Sequence, residues 1–237
     1  MTESSDLLSA LHPEDIAALR VHMAPCRLTS GAVIFEPGDN VEWCYFPLGG
    51  TLCSYFVLLD SGIAVETIMV GREGALGGIV SHGNLPAFAR SNVLHGGDAL
   101  KISIRDLEAI KLDRPSIAHL FNRYADCVMA QVFQSIACNA VHTIEERAAK
   151  WLVAAVDRIG SNQVTMTQEQ LASMMGIGRS YASRVLQRFK ADCLVRTRRG
   201  GIEVLDRDAL SGRACSCNDQ VAEHFHKVLG AVYPAEA

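Results

Sequence analysis

Arginine and serine side chains within residues 165–189, TMTQEQLASMMGIGRSYASRVLQRF, carry the clearest chemistry in this sequence. A guanidinium can donate two parallel hydrogen bonds to guanine, and a serine hydroxyl can bind a base or a phosphate. A helix would present these side chains on its outer side, with its first turns able to reach base edges in the major groove. The segment therefore predicts a DNA-reading helix whose outer residues are Arg179, Ser180, Ser183, Arg184 and Arg188.

A preceding helix must hold the reading helix in place. Thr167 can cap that helix, with Gln170 at the reciprocal position of a capping box. A tight crossing of two helices needs a small residue at the contact, a turn backbone able to reach positive φ, and an apolar plug. Ala172, Gly176 and Val185 supply these three features. The predicted interior of the helix pair consists of Leu171, Met175, Ile177, Ala182, Val185, Leu186 and Phe189.

The chain after Phe189 reads KADCLVRTRRGGIEVLD, which predicts a basic β-hairpin, or wing. Two short runs, LVRT and IEVLD, flank RRGG, and Gly-Gly is a hairpin-turn signal. Arginines near its tip would lie against phosphates, which position a protein on DNA without reading its sequence. The remaining residues that we assign to DNA binding are Arg196, Arg198 and Arg199 of the wing, with Thr167 and Gln168 at the start of the first helix.

The charge of the chain is unevenly distributed. The whole sequence has a net charge of −4. Residues 1–142 have nine basic against 15 acidic residues, whereas residues 167–200 have seven basic against two acidic ones. An acidic module joined to an anion-binding module is therefore expected. No apolar run is long enough for a membrane span and no signal peptide is recognisable, so we expect a cytoplasmic protein without a membrane partner.

The pattern of apolar and turn-forming residues along the sequence predicts an α+β protein with distinct modules. From Cys26 to about Ile104, short apolar or alternating runs are separated by EPGDN, GG, DSG and GREG, which is typical of a β-barrel or jelly roll. Helical periodicity follows. We place a β-roll sensor domain at 1–114, a dimerisation helix at 115–139, a winged helix-turn-helix domain at 140–212 and a tail helix at 213–237.

Residues 115–139 predict one long helix that begins with Pro115 at a permitted first position. Apolar or small residues recur along it at steps of three and four, which defines one stripe. The stripe could pack on the chain's own barrel, but the length of the helix and its place between two modules favour a two-stranded dimer contact. The residues assigned to the dimer interface are Ile117, Leu120, Tyr124, Cys127, Val128, Gln131 and Ser135.

This order of modules, with the segment TQEQLASMMGIGRSYASRVLQRFKADCLVRTRRGGIEVLD, resembles the CRP/FNR family of bacterial transcription regulators. The resemblance implies a homodimer that binds palindromic promoter sites in double-stranded DNA and contacts RNA polymerase or blocks it. In the family pattern the recognition helix begins Arg-Glu-x-x-x-Arg, with both arginines on the DNA. Arg179 and Arg184 match that pattern, whereas Ser180 replaces the acidic residue, so a carboxylate that accepts from cytosine is lost.

The resemblance also implies an effector pocket in the β-roll. Cyclic-AMP-binding members have a Gly-Glu-Leu-Gly turn and, about ten residues later, Arg-Ser. Here Arg90 comes 17 residues after Glu73, and alignment places two apolar residues where those members offer hydroxyls to adenine. An unpaired polar ring edge costs ~1–3 kcal/mol per group, so cyclic AMP is not the expected effector, and its identity stays open. The pocket residues implied are Glu73, Gly74, Arg90, Ser91, Val132 and Phe133.

Cofactors and metals are not expected. The iron–sulfur members hold their cluster with closely spaced N-terminal cysteines, but Cys26 is the only cysteine among the first 40 residues. No histidine is distinguished as a haem ligand. Two thiolates and two imidazoles near the C-terminus could bind Zn²⁺, but C-x-C and H-x-H are unusual spacings, and an ordinary tail helix is the preferred interpretation. The residues whose metal binding stays open are Cys215, Cys217, His224 and His226.

The alternative function is a ligand-binding β-barrel with cupin-like catalysis. Such a site needs clustered metal ligands or an acid/base pair, and only His82 and His95 lie in the β segment, without a close His-x-His spacing. The Gly-rich GREGALGG lacks the lysine and the strand-to-helix context of a phosphate loop. We therefore predict no catalytic residues and a transcription regulator rather than an enzyme.

Overall fold

A computed structural model describes residues 4–78 and 85–230. The chain opens with two short helices, α1 (Asp6–Ser9) and α2 (Pro13–Arg20). Pro13 occupies the first turn of α2, where its missing N–H costs nothing. The buried carboxylate of Asp15 accepts hydrogen bonds from Ser116 Oγ (2.6 Å) and Arg114 Nη1 (3.0 Å), which fixes the N-terminal helices to the start of the long helix.

The β-rich segment forms two antiparallel sheets with the strand orders β1-β7-β3 and β2-β6-β4-β5. Side chains that alternate toward the interior, such as those of Cys44 and Phe46, build the core between the sheets and the helices. This arrangement confirms the predicted β-roll. The strands are β1 (Ala24–Leu28), β2 (Val33–Phe35), β3 (Trp43–Pro47), β4 (Leu52–Leu58), β5 (Ala64–Val70), β6 (Arg90–His95) and β7 (Gly97–Ser103).

Helix α3 (Ile104–Asp113) leads into the long helix α4 (Pro115–Val141), which continues to Val141 rather than ending at Asn139. One face of α4 packs on the β-roll. The Tyr124 hydroxyl, inside that contact, accepts a hydrogen bond from the Ala75 N–H at 3.1 Å. Among the described residues, no helix is both long and apolar enough to cross a bilayer.

The α4 residues assigned to a dimer interface pack to different extents within their own chain. Ile117, Tyr124 and Cys127 are buried within their own chain, and the half-buried Gln131 donates from Nε2 to the Met69 carbonyl at 3.3 Å. The stripe therefore faces the β-roll and the tail helix, which offer enough apolar surface to cover it. Leu120, Val128 and Ser135, also assigned to the dimer, are half-buried on the same side.

The C-terminal part begins with α5 (Ile144–Ile159), which Thr143 and Glu146 cap reciprocally as predicted. Helices α6 (Gln168–Met175) and α7 (Arg179–Ala191) follow, and a three-stranded sheet of order β8-β10-β9 completes the winged domain. The remaining elements are β8 (Gln163–Val164), β9 (Val195–Arg198), β10 (Gly201–Val204), α8 (Arg207–Ser211) and α9 (Cys217–Leu229).

The β-roll and the winged domain share a core through α5. Leu52, Phe56 and Met69 of the roll belong to the same buried cluster as Leu152 and Val156 of α5. Two polar links, one buried and one partly buried, cross this boundary. Arg158 Nε lies 2.7 Å from Glu73 Oε1, and Trp151 Nε1 donates to Glu66 Oε2 at 2.6 Å. The winged helix-turn-helix domain, called the reader below, is therefore attached to the β-roll both by packing and by these two hydrogen-bonded contacts.

Candidate nucleic-acid interface

The turn between α6 and α7 has the conformation that the sequence predicts. Thr167 Oγ1 accepts from the Gln170 N–H at 3.1 Å, and Gln170 Oε1 accepts from the Thr167 N–H at 2.8 Å, which forms the capping box. Gly176 ends α6 with φ 66° and ψ 33°, a left-handed conformation that costs a side-chain-bearing residue energy. The buried residues that hold the helix pair together are Leu171, Ala172, Met175, Ala182, Val185, Leu186 and Phe189.

The outer side of α7 presents the predicted reading residues. Arg179, Ser180 and Arg184 are exposed, and Ser183 is half-buried. Gly178 precedes the helix without a side-chain cap, so the first-turn N–H groups lack a side-chain acceptor. Exposed N–H groups at a helix N-terminus, next to guanidinium groups, form an environment that attracts phosphate and base acceptors.

Two residues on this face were not assigned to DNA binding from the sequence. The Arg184 guanidinium carbon lies 5.0 Å from the centre of the Tyr181 ring, a cation–π contact that restrains the arginine. Tyr181 is 43% exposed, and Gln187 is also exposed, further along α7. Tyr181 lies three residues before Arg184 and Gln187 three residues after it, and this spacing could have identified both, because helical neighbours three apart share a face.

Arg188 is positioned differently from the other arginines of α7. Its Nη1 donates to Glu145 Oε2 of α5 at 2.9 Å, although its side chain is 70% exposed. The pairing offsets part of its charge and directs the guanidinium toward the protein. Arg188 is therefore less available to DNA than Arg179 or Arg184, for which the described part of the chain offers no carboxylate partner.

The wing forms where the sequence predicts it, but two of its arginines are engaged. Strands β9 and β10 pair in antiparallel register, with Gly200 at φ 76° in the turn. Arg196 and Arg198 both donate to Glu203 Oε2, at 2.8 and 2.6 Å. These bonds lower the pKa of Glu203, which keeps its carboxylate charged. Arg199 is exposed at the tip and has no carboxylate partner among residues 4–78 and 85–230.

The two residues assigned at the start of α6 differ in availability. The Thr167 side chain is exposed, and although its oxygen accepts the capping hydrogen bond, its hydroxyl hydrogen can still be donated to a phosphate. Gln168 is half-buried. Both lie on the element that precedes the recognition helix, where a helix-turn-helix contacts the DNA backbone.

The effector residues implied by the sequence are not brought together. Glu73 is buried, accepts from Arg158 and from the Gly71 N–H, and lies next to Gly74, which packs directly beneath the Tyr124 hydroxyl. Arg90 instead pairs with Glu36 at 2.8 Å. The α5 helix supplies the guanidinium that Glu73 needs inside the core, so the carboxylate is directed to the winged domain.

The other three implied pocket residues also have separate surroundings. Ser91 is buried in β6, and its Oγ has no hydrogen-bond partner in the described chain. Val132 is half-buried against the β-roll core, whereas Phe133 is 63% exposed on the outer side of α4. Adjacent positions on a helix point about 100° apart, which explains why the pair divides between core and solvent.

A cupin-like catalytic site finds no support in the described part of the β-roll. His82 lies outside the described residues. His95 ends β6, with burial lowering its pKa, and its Nδ1 lies 3.5 Å from Thr165 Oγ1. The group of possible metal ligands found among the described residues lies at the end of α4 and around the start of α9, not in the roll.

Comparison with known proteins identifies the C-terminal domain. Residues 146–213 match the family model described as the Crp-like helix-turn-helix domain. That range includes α6, the glycine turn, α7 and the wing, which are the elements that present the exposed arginines. No curated protein matches the chain by sequence.

Solved structures share the fold over 80–82% of this chain at low sequence identity. The global regulator CLP of Xanthomonas campestris, described as c-di-GMP responsive, has a TM-score of 0.66 and 17% identity over 82% of this chain and 100% of that one. FixK2 of Bradyrhizobium japonicum has a TM-score of 0.68 and 13% identity over 81% and 98% of the two chains. A CRP-family regulator of Thermus thermophilus has values of 0.66 and 20% over 80% and 97%. The chain therefore carries a Crp-like helix-turn-helix domain within the overall fold of the CRP/FNR regulators, which is the architecture of a DNA-binding transcription regulator.

Proposed function

We propose that the protein acts as a homodimer that binds an inverted repeat in promoter DNA, with α7 of each protomer in a major groove. The observation that carries this proposal is the exposed pair Arg179 and Arg184 on a helix whose opposite side is fully buried. Arg199 at the wing tip would add a phosphate contact. Bidentate arginine contacts to guanine specify sequence, and the wing contact fixes the register of the domain on the duplex.

The outer face of α4 is the surface that we assign to dimerisation. Met129, Phe133 and Ile136 are 49%, 63% and 64% exposed and follow one another at steps of four and three. Apolar residues at this spacing form the seam of a two-stranded coiled coil. In a dimer with two-fold symmetry through this face, the same two-fold axis would relate the two α7 helices that face the DNA. The DNA site would then be an inverted repeat.

Contact between the β-roll and the reader would allow a ligand of the roll to regulate DNA binding. A cleft of about 390 Å³ lies between β6 of the roll and α6 of the reader, lined by Arg90, Asn92, Gln170 and Met174. The buried Asn92 Oδ1 has no hydrogen-bond partner in the described chain, so a ligand with a hydrogen-bond donor would fit there. We infer that a small effector, and not cyclic AMP, binds the roll, and that the regulator contacts or blocks RNA polymerase in the cytoplasm without enzymatic activity.

Selection of bound sequences from a random double-stranded DNA library tests the DNA-binding proposal. The native chain is expected to enrich an inverted repeat. Arg179→Ala or Arg184→Ala should relax the preference at one base pair of each half-site and cost ~1–3 kcal/mol per affected contact. Arg20→Ala removes the same charge from an exposed position on α2 and serves as the control. Enrichment of no repeat at low salt, or an unchanged preference in both α7 variants, would contradict the proposal.

Calorimetric titration with cyclic AMP tests the expectation on the effector. No saturable heat is expected, because the Arg158 guanidinium occupies Glu73 inside the core. Saturable binding that Glu73→Gln abolishes would show that this assignment of the pocket is wrong.

A further inference from the structure

Four metal-ligating side chains converge at the junction between α4 and the winged domain. Cys138 lies in the last turn of α4, and His142 follows four residues later as the cap of that helix, so both project from one side. Cys215 comes from the short connection between α8 and α9, and Cys217 is the first residue of α9. The four ligand atoms all lie within 4.8 Å of one another. The cluster includes the two tail cysteines that the sequence left open, but neither His224 nor His226.

The distances within the cluster fit a single tetrahedral ion. Cys138 Sγ and Cys215 Sγ are 3.6 Å apart, and Cys217 Sγ and His142 Nδ1 are 3.4 Å apart. Zn–S and Zn–N bonds of about 2.3 and 2.0–2.1 Å at tetrahedral angles give S···S and S···N separations of about 3.8 and about 3.6 Å. A disulfide requires sulfur atoms about 2.05 Å apart, so Cys138 and Cys215 are not bonded to each other.

The surroundings of the cluster suit a charged metal–thiolate centre. Cys138, Cys215 and Cys217 are buried, and His142 is half-buried, which limits access of water to the ligands. Three thiolates and a neutral imidazole around Zn²⁺ have a net charge of −1. The Lys150 ammonium lies 3.4 Å from Cys138 Sγ and offsets that charge.

The ligand set discriminates between metals. Three sulfur atoms and one imidazole nitrogen in a closed tetrahedron are typical of structural zinc. A cluster of several irons holds its cysteine ligands further apart than a single ion does, and it is most often bound by four cysteines. We propose that Cys138, His142, Cys215 and Cys217 form a structural Zn²⁺ site that fastens the end of the long helix to the segment following the wing.

Binding at this site involves no oxidation or reduction. Zn²⁺ displaces the protons of three thiols to solvent and forms three Zn–S bonds and one Zn–N bond, with the imidazole bound as the neutral tautomer. The bonds would join residues that are 73 or more positions apart in the sequence, at the place where α4 passes into α5. The site would therefore fix both the α4–α5 junction and the N-terminus of α9.

The first experiment uses the full native chain, purified under reductant and without chelator. Elemental analysis is expected to find one zinc per chain. After removal of the zinc with a chelator, titration with Co²⁺ should give thiolate-to-cobalt charge-transfer absorption and tetrahedral d–d bands that saturate at one equivalent, and Zn²⁺ should displace the cobalt. Absence of zinc together with no thiolate–cobalt absorption overturns the proposal, and so does iron with sulfide at cluster stoichiometry.

Variants identify the ligands. Cys138→Ser and Cys215→Ser should each weaken Co²⁺ binding by at least about 100-fold, since a lost ligand costs more than a lost outer-shell partner, for which 10–100-fold is typical. Lys150→Ala should lie within that smaller range. Cys193→Ser is the matched control, because Cys193 is exposed and does not belong to the buried cluster. The assignment is overturned if Cys138→Ser binds Co²⁺ as tightly as the native chain does. It is also overturned if peptide mapping finds a Cys138–Cys215 disulfide in the native chain purified under reductant. Should a serine variant fail to fold, the cobalt titration of the native chain decides the matter without it.

Discussion

At the scale of single residues, the wing shows that a basic side chain in the sequence is not yet a DNA contact in the folded protein. Arg196 and Arg198 share the Glu203 carboxylate, whereas Arg199 has no such partner in the described chain. A phosphate would have to compete with Glu203 for the first two arginines. In the proposed complex with DNA, the contribution of the wing therefore depends on Glu203, an acidic residue within β10.

Replacement of Glu203 by glutamine should release two arginines to the phosphates. We expect tighter binding to DNA of any sequence, and a slope of log K against log salt that steepens by up to about 0.9 for each additional phosphate that an arginine neutralises. Arg199→Ala should remove one phosphate contact, so the slope of log K against log salt should become shallower by about one. Fluorescence anisotropy over a salt series measures both. Glu223→Gln, which frees Lys227 on α9, is the control, and an unchanged slope in Glu203→Gln would refute the competition.

The Arg158–Glu73 pair is the second case in which the partner of a residue decides its role. Both side chains are almost completely buried, at 2% and 3% exposure. Glu73→Ala leaves a buried guanidinium without its carboxylate and should lower the free energy of unfolding by ~3–5 kcal/mol. Glu36→Ala breaks the more exposed Arg90–Glu36 pair and should cost only ~0–1 kcal/mol. Urea unfolding distinguishes the two, and similar losses in both variants would contradict the assigned burial effect.

At the scale of elements, α4 has one face covered by its own chain and one exposed face, to which we assign the proposed dimer contact. The face with Ile117, Tyr124 and Cys127 is fully covered within the chain. The face with Met129, Phe133 and Ile136 remains exposed, and exposed apolar residues in a row on one helix mark a contact surface. The sequence therefore predicted the long helix as an element, whereas three of the residues it assigned to a dimer contact, Ile117, Tyr124 and Cys127, are buried within their own chain.

A charge on the exposed face of α4 should separate the protomers. Ile136→Glu would place a carboxylate inside the apolar dimer seam, so we expect a monomer by light scattering at concentrations where the native chain is a dimer. Affinity for the inverted repeat should fall with it, because each monomer reads only one half-site. Leu112→Glu introduces the same charge at a residue of α3 that is 76% exposed and should leave the dimer intact. A dimeric Ile136→Glu variant would place the interface elsewhere.

At the scale of the whole molecule, the β-roll and the winged domain meet at the side chain of Glu66. Glu66 Oε1 accepts from Ser54 Oγ at 2.5 Å and Oε2 accepts from Trp151 Nε1 of α5 at 2.6 Å. Desolvation raises the pKa of Glu66 despite these hydrogen bonds. The folded protein therefore holds the proton more tightly than the unfolded chain does, and the stability that this acid provides decreases as pH rises from its ordinary pKa through its raised one.

The Glu66→Gln variant isolates this effect. An amide can keep both hydrogen bonds, because its oxygen accepts from Trp151 and its nitrogen donates to Ser54 Oγ. We expect the variant to gain stability over the native chain as pH rises from about 4 through the raised pKa, and the difference to become constant above it. Thermal unfolding across pH measures the difference. A difference that is constant at all these pH values would show that Glu66 does not titrate at the boundary.

The sequence alone determined the order of elements and the chemistry of the reader. The capping residues Thr143 and Thr167, the turn glycine Gly176 and the wing glycine pair act through neighbours within a few positions, so local rules identify them. The exposed positions of Arg179 and Arg184 follow from helical periodicity about a buried face, which is also a local property.

Only the tertiary structure decided which partners those residues have. Glu73 could not be separated from an effector pocket until α5 brought Arg158 to it, 85 positions along the chain. The stripe on α4 could not be assigned to the roll until the roll and α9 had packed on it. Cys138 and His142 had a helical spacing that favours a shared metal, but their meeting with Cys215 and Cys217 depends on the return of the chain after the wing. Packing between distant segments sets these contacts, and one-dimensional spacing does not encode them.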